Sequence, residues 1–282
     1  FTGKFLEPEI GLIYFGGRWY EPGIGRWVTV DPAEDGENWY SYCVGNPIRY
    51  IDISGFGVYR FGEFAVPDIK FDEDFPYDPA LKASVRDRLS WIWWGFKAFC
   101  ASVLRKDLSD AVKAYRHYRS GKGGVLIIDY EKAYKEDQII RVFVNDEIMS
   151  AQKEAERLFR ANKNKLSTIF GDIKAFNMLG SAVPVPNGLT ENWQKTIGAH
   201  FIWGSAFVCI NKSNQVTMLL SINVIDKYNF NRGMQDIASK TPDEVNGRFS
   251  QLGWAKSFIT RGSLFRVVTW RLGAASKTTK IE

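Results

Sequence analysis

Hydrophobic and polar positions alternate most regularly in the last third of the chain. Two apolar runs, GAHFIWGSAFVCI and VTMLLSINVID, flank the polar stretch NKSNQ. In the second run, Met218, Leu220, Ile222 and Val224 fall on one face of a strand, and Thr217, Ser221 and Asn223 fall on the other. Because successive side chains of a strand point to opposite faces, this pattern predicts a hairpin with one face in a core.

Longer periodic segments predict helices between residue 57 and the hairpin. The predicted helices run from Pro79 to Leu104, from Asp107 to Tyr118, and from about Asp137 to Asn162 with a break near Asn145. A short helix at Pro242–Gly247 and a strand at Leu264–Leu272 complete the pattern. Helices that precede a run of strands are typical of an α+β fold, so residues 57–282 are predicted to form one α+β domain with an antiparallel sheet at its C-terminus.

The first 56 residues have a different composition and residue pattern. They contain nine of the 25 glycines, and short strand-like runs such as Leu12–Phe15 and Arg26–Val30 alternate with turn residues. Glu21-Pro22-Gly23 is typical of a turn, since proline presets φ and glycine accepts a positive φ. We expect β-hairpins with little core of their own here. The predicted domains are therefore residues 1–56 and residues 57–282.

The stretch LSWIWWGFKAFCASVL is the most apolar part of the predicted first helix. It is shorter than the roughly 20 apolar residues that a membrane-spanning helix needs. A helix packed in the protein core is the favoured interpretation. An interfacial or inserting helix, or a true membrane span, remain as alternatives.

The net charge also differs between residues 1–56 and residues 57–282. Residues 1–56 hold four Lys/Arg and eight Asp/Glu, a net charge of −4, so the remaining 33 basic and 24 acidic residues give +9 to residues 57–282. The basic residues are spread along the chain, which favours a solvated surface over a nucleic-acid or membrane patch. The three cysteines, Cys43, Cys100 and Cys209, are far apart and are expected to be free thiols.

The first segment carries a specific motif series. It opens FTGKFLEPEIGLIYFGGRWY, continues GRWVTVDP, and closes NPIRYIDISGF. This series resembles the RHS-repeat-associated core domain over about one fifth of the chain. The resemblance implies that a large β cocoon of a parent protein encloses a variable C-terminal toxin. It also implies that the core segment acts as an intramolecular aspartic protease.

Residue by residue, the resemblance places the protease carboxylates at Asp31 and Asp52 and a conserved arginine at Arg18. The bond that would be cut is Phe56–Gly57. Two carboxylates held together share a proton, so one can activate water while the other donates a proton. The chain departs from the family pattern at three positions: Val30, Ile53 and Phe56 stand where proline, proline and leucine are usual.

The resemblance further implies that residues 57–282 are a toxin module of a secreted or injected effector, delivered by a contact-dependent or injection system such as type VI secretion, with a cognate immunity protein as partner. With His117 and His200 as the only histidines, zinc and His-cluster nuclease motifs are absent, and SGKGG lacks the spacing of a phosphate-binding loop. Nucleic acid is therefore a disfavoured target. A Cys/His hydrolase that uses Cys100 or Cys209 is a minor alternative. No metal site and no cofactor can be assigned.

The densest polar cluster is INVIDKYNFNRGMQD, just after a predicted strand. Polar residues at strand ends often build functional sites, and Asp226, Tyr228 and Arg232, with His200 or Asp236 nearby, are predicted to line a pocket. The cluster weakly resembles the Asp-x-Tyr-Asp motif of colicin M-like toxins. Asn229 stands in place of the second aspartate, and the family's following His-Arg is absent.

Two functions stay open from the sequence. One is a hydrolase of a lipid-linked cell-envelope precursor, with Asp226 as base or metal ligand and with Arg232 and Tyr228 holding a phosphate. The other is a membrane-perturbing, pore-forming toxin that uses the Trp-rich helix and has no catalytic residues.

Overall fold

The computed structural model describes residues 5–14, 18–29, 40, 58–60, 69, 71, 75–164, 166–180, 182–236 and 239–282. The chain has the predicted α+β fold, with helices and sheets in largely separate stretches. In the described residues the strands fall into two sheets, one within residues 5–27 and one within residues 58–281. The domain boundary at residue 56 stays a prediction, because the residues around it lie outside the described ranges.

The first sheet is a small antiparallel meander, β1-β2-β3-β4. Its strands are Phe5–Glu7, Leu12–Tyr14, Trp19–Glu21 and Arg26–Trp27. The predicted turn after Glu21 is present, and Gly25 adopts a φ of +66° that other residues rarely take. Trp27 packs edge-on against Tyr20 with ring centroids 5.8 Å apart, and both side chains are buried.

The second sheet is mixed. Its strands are β5 Val58–Arg60, β6 Val125–Ile127, β7 Ser167–Phe170, β8 Ile173–Leu179, β9 Val183–Val185, β10 His200–Ile210, β11 Gln215–Tyr228, β12 Phe258–Arg271 and β13 Lys280–Ile281. The long strands β8, β10, β11 and β12 are antiparallel neighbours, as predicted. Two short strands extend the predicted antiparallel sheet in parallel, because β6 pairs with β12 and β5 pairs with β8 in that direction.

The β10–β11 hairpin confirms the alternation prediction. Phe201 pairs with Ile225 at one end of the ladder and Ile210 pairs with Val216 at the other. The predicted apolar face of β11 is at most 1% exposed at Met218, Leu220, Ile222 and Val224. Asn214 takes a φ of +58° in the connecting turn, a conformation that asparagine tolerates better than most residues.

The helices of the described residues are the four predicted ones, with different ends, and three short ones that were not predicted. They are α1 Val85–Leu104, α2 Ser109–Arg119, α3 Tyr130–Glu136, α4 Gln138–Asn162, α5 Glu191–Thr196, α6 Glu244–Gln251 and α7 Ala275–Thr278, with a 3₁₀ turn at Lys106–Leu108. The first helix starts at Val85 rather than Pro79, because Ser84 and Asp87 form a reciprocal capping box there. The predicted break near Asn145 is wrong, since α4 runs through it.

The core lies between α4 and the inner face of β10 and β11. One side of α4 buries Ile140, Val144, Ile148, Ala151 and Ala155 at spacings of three and four residues. They meet the buried face of the sheet, where Trp193, Trp270 and Phe176 are also buried. Each of the larger apolar side chains contributes about 1.5–3 kcal/mol by burial, so this face of α4 holds the helices on the sheet.

Candidate functional site

A cleft opens where β11 extends past its neighbour. The β10–β11 ladder begins at Phe201↔Ile225, but β11 continues to Tyr228 and pairs there with β12. On its other side, the end of β11 faces the turn between α5 and β10, where Gly198 and Ala199 line the cleft. The cavity measures about 680 Å³, large enough for a sizeable organic ligand.

The cleft has apolar walls with a few polar groups. α1 supplies Trp94, Lys97, Ala98 and Ala101, and the next two helical segments supply Leu108, Ala111, Val112 and Tyr115. The polar side is formed by Asp226, Lys227, Tyr228, Asn229, Asn231, Asp236, Asp243 and Asn246, with Lys195 from α5. A mostly apolar cavity with a small number of placed polar groups is the usual form of a ligand site.

Asp226 is the most perturbed carboxyl group in the cleft. It lies one residue beyond the ladder to β10 and pairs with Thr260 of β12. Removal of the carboxyl group from water raises its pKa to about 8, and the backbone N–H of Lys227 lowers it only partly. A carboxyl group with this pKa is protonated at neutral pH, so Asp226 can donate a proton there.

Tyr228 lies beside Asp226 in an aromatic cluster. Its ring stacks on Phe258 at 4.8 Å and meets Tyr118 and Phe230 at 5.9 Å. Burial raises the pKa of its hydroxyl well above the usual value, so it stays protonated and can donate a hydrogen bond. The carboxyl group of Asp226, two residues earlier on the same strand, owes its raised pKa to its own burial.

Asp236 has the opposite electrostatic environment. Burial raises the pKa of its carboxyl, but hydrogen bonds from Ser239 and the ammonium of Lys195 outweigh that effect and lower it overall. Lys195 Nζ lies 3.0 Å from Asp236 Oδ2 and 2.7 Å from Glu191 Oε1. The cleft therefore holds a carboxyl group, Asp226, that is protonated at neutral pH and another, Asp236, that is ionised.

Asp243 and Asn231 complete the polar side. The backbone N–H of Asn231 donates to Asp243 Oδ2 at 3.1 Å. Burial raises the pKa of Asp243. The side-chain oxygen Oδ1 of Asn231 is buried without a hydrogen-bond partner, so a bound ligand that donates a hydrogen bond there would satisfy it.

His200 is not among the residues that line the cleft. It is 2% exposed, and its Nδ1 lies 2.9 Å from the Gly198 carbonyl while its Nε2 lies 2.7 Å from the Tyr130 hydroxyl. Because a carbonyl can only accept, Nδ1 carries the proton and Nε2 accepts from Tyr130. Burial lowers the pKa of His200 to about 4, so the ring is neutral at neutral pH.

Arg232 also lies outside the cleft lining. It is exposed, and its guanidinium carbon lies 4.9 Å from the centre of the Phe75 ring. The structure therefore brings Asp226, Tyr228 and Asp236 to one cavity and leaves His200 and Arg232 away from its walls. Sequence reasoning missed Lys195 and Asp243, since neither belongs to a motif and both reach the cleft from elements distant in sequence.

The self-cleavage residues are described only in part. Arg18 is 2% exposed and its guanidinium carbon lies 4.3 Å from the centre of the Trp27 ring, a cation–π contact. Asp31, Asp52, Phe56 and Gly57 lie outside the described residues, so their roles stay predictions.

Three other predicted features concern metals, membranes and thiols. Within the described ranges, no group of three or more His, Cys, Asp or Glu side chains is arranged to hold a metal ion. A search of the same residues finds no helix that is both long and apolar enough to cross a membrane. Cys100 and Cys209 are free and partly buried, and burial raises the pKa of the Cys209 thiol. A raised pKa makes Cys209 a poor nucleophile at neutral pH.

No known protein-family model matches the chain. No solved structure matches it either. Short stretches do match curated proteins. A toxin subunit, YenC2, of Yersinia entomophaga is 47% identical over 57 residues, which is 20% of this chain and 6% of that protein.

Two further relatives share stretches of similar length. Salivary gland surface protein 1 of Aedes aegypti is 36% identical over 55 residues, 20% of this chain and 2% of the relative. Double-stranded DNA deaminase toxin A of Burkholderia cenocepacia is 33% identical over 69 residues, 23% of this chain and 5% of the relative. The matches thus span only a small part of these proteins, and their length is close to that of the predicted first segment. The chain therefore shares a short segment with proteins that include two toxins.

Proposed function

We propose that the chain is the C-terminal part of an RHS-repeat toxin effector, and that residues 57–282 act as a hydrolase on a lipid-linked cell-envelope precursor. Release of this part would follow aspartic-type self-cleavage between Phe56 and Gly57. Two relatives that share a short segment with the chain are named toxins, which supports the toxin assignment at a coarse level.

The presence of Asp226 and Asp236 in the lining of one cleft is the observation that carries the hydrolase proposal. Both side chains line the same cavity, and their pKa values are shifted in opposite directions. Asp226 would donate a proton to the leaving oxygen, and ionised Asp236 would take a proton from the attacking water. These roles differ from the one expected from the sequence, where Asp226 was assigned as base or metal ligand.

The shape of the cleft supports a substrate with a polar and an apolar part. Trp94, Leu108 and Val112 line one side, whereas Lys195 and the carboxyl groups line the other. An anionic head group would lie near the ammonium groups of Lys97 and Lys227, which also line the cleft, because Lys195 is already bound by Asp236 and Glu191. An apolar tail would lie along the helices. A lipid-linked phosphate has both parts, an anionic head group and an apolar tail.

The decisive experiment is expression of residues 57–282 in the bacterial periplasm and, separately, in the cytoplasm, scored for killing. Asp226→Asn keeps the shape of the side chain but cannot act as an acid, so we expect killing to fall by roughly 100-fold or more. Asp172→Asn is the matched control, because Asp172 is an exposed carboxylate paired with Lys212 in another part of the fold.

The expected result is killing by the wild type and by Asp172→Asn in the periplasm, together with loss of the intact lipid-linked precursor. Equal killing by Asp226→Asn at equal protein level would remove the cleft from the mechanism. In that case the pore-forming alternative, tested by dye release from protein-free liposomes, would take its place.

A further inference from the structure

Helix α1 carries apolar residues on two opposite sides. On the inner side, Trp91 packs edge-on against Phe249 at 5.0 Å and Trp254 at 5.8 Å, and Ala98 is buried. On the outer side, eight large apolar residues are each more than half exposed: Val85, Leu89, Ile92, Trp93, Phe96, Phe99, Val103 and Leu104. We call these eight residues the outer face of α1. A helix that is apolar all round is normally covered, and an exposed apolar patch of this extent marks an interaction surface.

The outer face is a broad stripe along the full length of the helix. Val85, Leu89, Ile92, Phe96, Phe99 and Val103 follow one another at steps of four and three residues, which places them on one side. Trp93 widens the stripe at one edge and stacks on Phe96 with ring centroids 5.9 Å apart. The aromatic edge makes the stripe wider than the narrow seam that pairs two helices in a coiled coil.

The exposed charged groups of α1 that flank this stripe are positive. Arg86 and Arg88 are exposed near the start of the helix, and Lys97 lies at its middle. The acidic residue of α1, Asp87, is neutralised by Arg248 of α6, whose Nη2 donates to Asp87 Oδ2 at 3.1 Å. On the far edge, Arg116 of α2 donates from Nη2 to Ser102 Oγ of α1 at 2.8 Å. The partner that fits is therefore apolar at its centre and negative at its border.

We propose that the outer face of α1 docks in the interface of an anionic lipid bilayer, with the helix lying parallel to the membrane plane. Trp, Phe and Leu on one side and Lys or Arg at the borders are the composition of interfacial amphipathic helices. The apolar side chains would enter the boundary between head groups and acyl chains. The arginines would contact lipid phosphates, each contributing to attraction by an anionic surface.

This docking would place the helix that forms one wall of the cleft against the membrane. Trp94, Lys97, Ala98 and Ala101 of the same helix line the cleft. Lys97 joins the two surfaces, since its Nζ lies 4.3 Å from the centre of the Trp94 ring and 5.5 Å from that of Trp93 in the outer face. Docking to the bilayer requires only the outer face of α1 and its flanking charges. The further statement that it delivers a lipid-borne substrate to Asp226 rests on the proposed function.

Co-sedimentation of the full chain with vesicles tests the docking. We expect binding to phosphatidylcholine vesicles that contain about 30% phosphatidylglycerol, and much weaker binding to pure phosphatidylcholine. Raising the salt from about 0.1 M to about 1 M shortens the Debye length from about 10 Å to about 3 Å, and should weaken the binding. A dye trapped in the vesicles should stay inside, because the helix lies on the surface.

A double substitution in the outer face supplies the residue-level test. Phe96→Ser with Phe99→Ser removes two exposed rings, so the fold should persist while affinity for the anionic vesicles falls at least roughly ten-fold. Phe265→Ser is the matched control, because Phe265 is 61% exposed on β12, away from α1. Its binding should equal that of the wild type. Circular dichroism of all three proteins verifies that they are folded.

Three results would overturn the proposal: no binding of the wild type to anionic vesicles, equal binding of the double variant, or release of the dye. Sedimentation velocity without lipid tests whether a second copy of the chain binds to the outer face instead of a membrane. Self-association that the double variant abolishes, without vesicle binding, would assign the outer face to a second copy of the chain. Vesicle binding needs no substrate and no intact Asp226, so its outcome is independent of the hydrolase test.

Discussion

At the residue scale, Asp226 illustrates how a site residue costs stability. Its carboxyl group leaves water on folding and receives the backbone N–H of Lys227 in exchange, which does not compensate for the desolvation. The result is a pKa of about 8 in the native state, against about 4 in the unfolded chain. A residue placed for packing alone would not carry a carboxyl group at this position.

This shift predicts how stability depends on pH. The native state keeps a proton that the unfolded chain releases above about pH 4, so the free energy of unfolding falls as the pH rises from about 4 to about 8. Asp226→Asn cannot ionise, and after allowance for the residual solvent exposure of the carboxyl it should be more stable than wild type by about 1–3 kcal/mol at pH 8. At pH 4 the two proteins should differ little.

Urea unfolding of both proteins at pH 4 and pH 8 measures the effect. Glu147, whose pKa burial raises to about 7, and His200 titrate in both proteins, so they cancel in the difference between them. A difference that is the same at the two pH values would contradict the assigned shift.

His200 was expected from the sequence to belong to the site, but its role in the structure is to hold elements together. A histidine on the strand before a polar cluster is a natural candidate for catalysis. The structure instead uses both ring nitrogens in hydrogen bonds to Tyr130 and Gly198, in a buried position. A ring that is neutral and has both nitrogens occupied serves to hold α3 and the start of β10 together.

At the element scale, α6 shows how packing overrides helix propensity. Gly247 lies inside this helix, where alanine would normally be favoured by about 1 kcal/mol. A Cβ atom at Gly247 would lie 2.2 Å from Cδ2 of Phe75, whose ring is 5% exposed and cannot move into solvent without cost. The glycine therefore allows the segment before α1 to pack against α6.

We predict that Gly247→Ala destabilises the protein by about 1–3 kcal/mol, because the overpacking at Phe75 outweighs the gain in propensity. Gly95→Ala in α1 is the control. Its Cβ would lie 3.0 Å from Arg119 Nη2, the end of a long side chain that can shift. That variant should stay within about 1 kcal/mol of wild type. Thermal unfolding of the two variants decides the matter, and equal stability would show that Phe75 relaxes freely.

At the scale of the whole molecule, the chain combines two sheets of different character. Residues 5–27 form a small meander, and the mixed sheet draws on strands from residue 58 to residue 281. The strands of the meander are two or three residues long, yet Ile13, Tyr20 and Trp27 are buried in it. The expectation that this segment has little core of its own stays a prediction.

Self-cleavage, if it occurs as proposed, would separate the first segment from residues 57–282. In the parent protein with its cocoon, we predict a cut between Phe56 and Gly57 that Asp31→Asn or Asp52→Asn abolishes, since two carboxyl groups must share the proton. Intact-mass measurement of the released fragment tests the position of the cut. Asp35→Asn is the control from the same segment and should be cut normally. A fragment with another first residue, or normal cutting of both motif variants, would refute the assignment.

The sequence alone was sufficient for features with a local physical cause. The buried face of β11 and the apolar side of α4 follow from periods of two and 3.6 residues, which depend only on the geometry of the element itself. Asp226 was expected just past the end of this strand, whereas β11 runs on through Asp226 to Tyr228 because β12 continues to pair with it there. The start of α1 at Val85 was not recognised, although its capping pair, Ser84 and Asp87, stands in the sequence.

Tertiary structure alone decided the chemistry of the site. Burial and charge at a side chain depend on neighbours that are distant along the chain, and no local pattern encodes them. Asp226 has a raised pKa because its carboxyl group is buried where β11 extends past β10, whereas Asp236 is kept ionised by hydrogen bonds from Ser239 and by Lys195 from α5. His200 comes just before Phe201, where the pairing of β10 with β11 begins, yet its ring is hydrogen-bonded to Tyr130, 70 residues earlier in the sequence. Local geometry thus sets which face of an element is apolar, and the packing of distant elements sets which polar residues share a cavity.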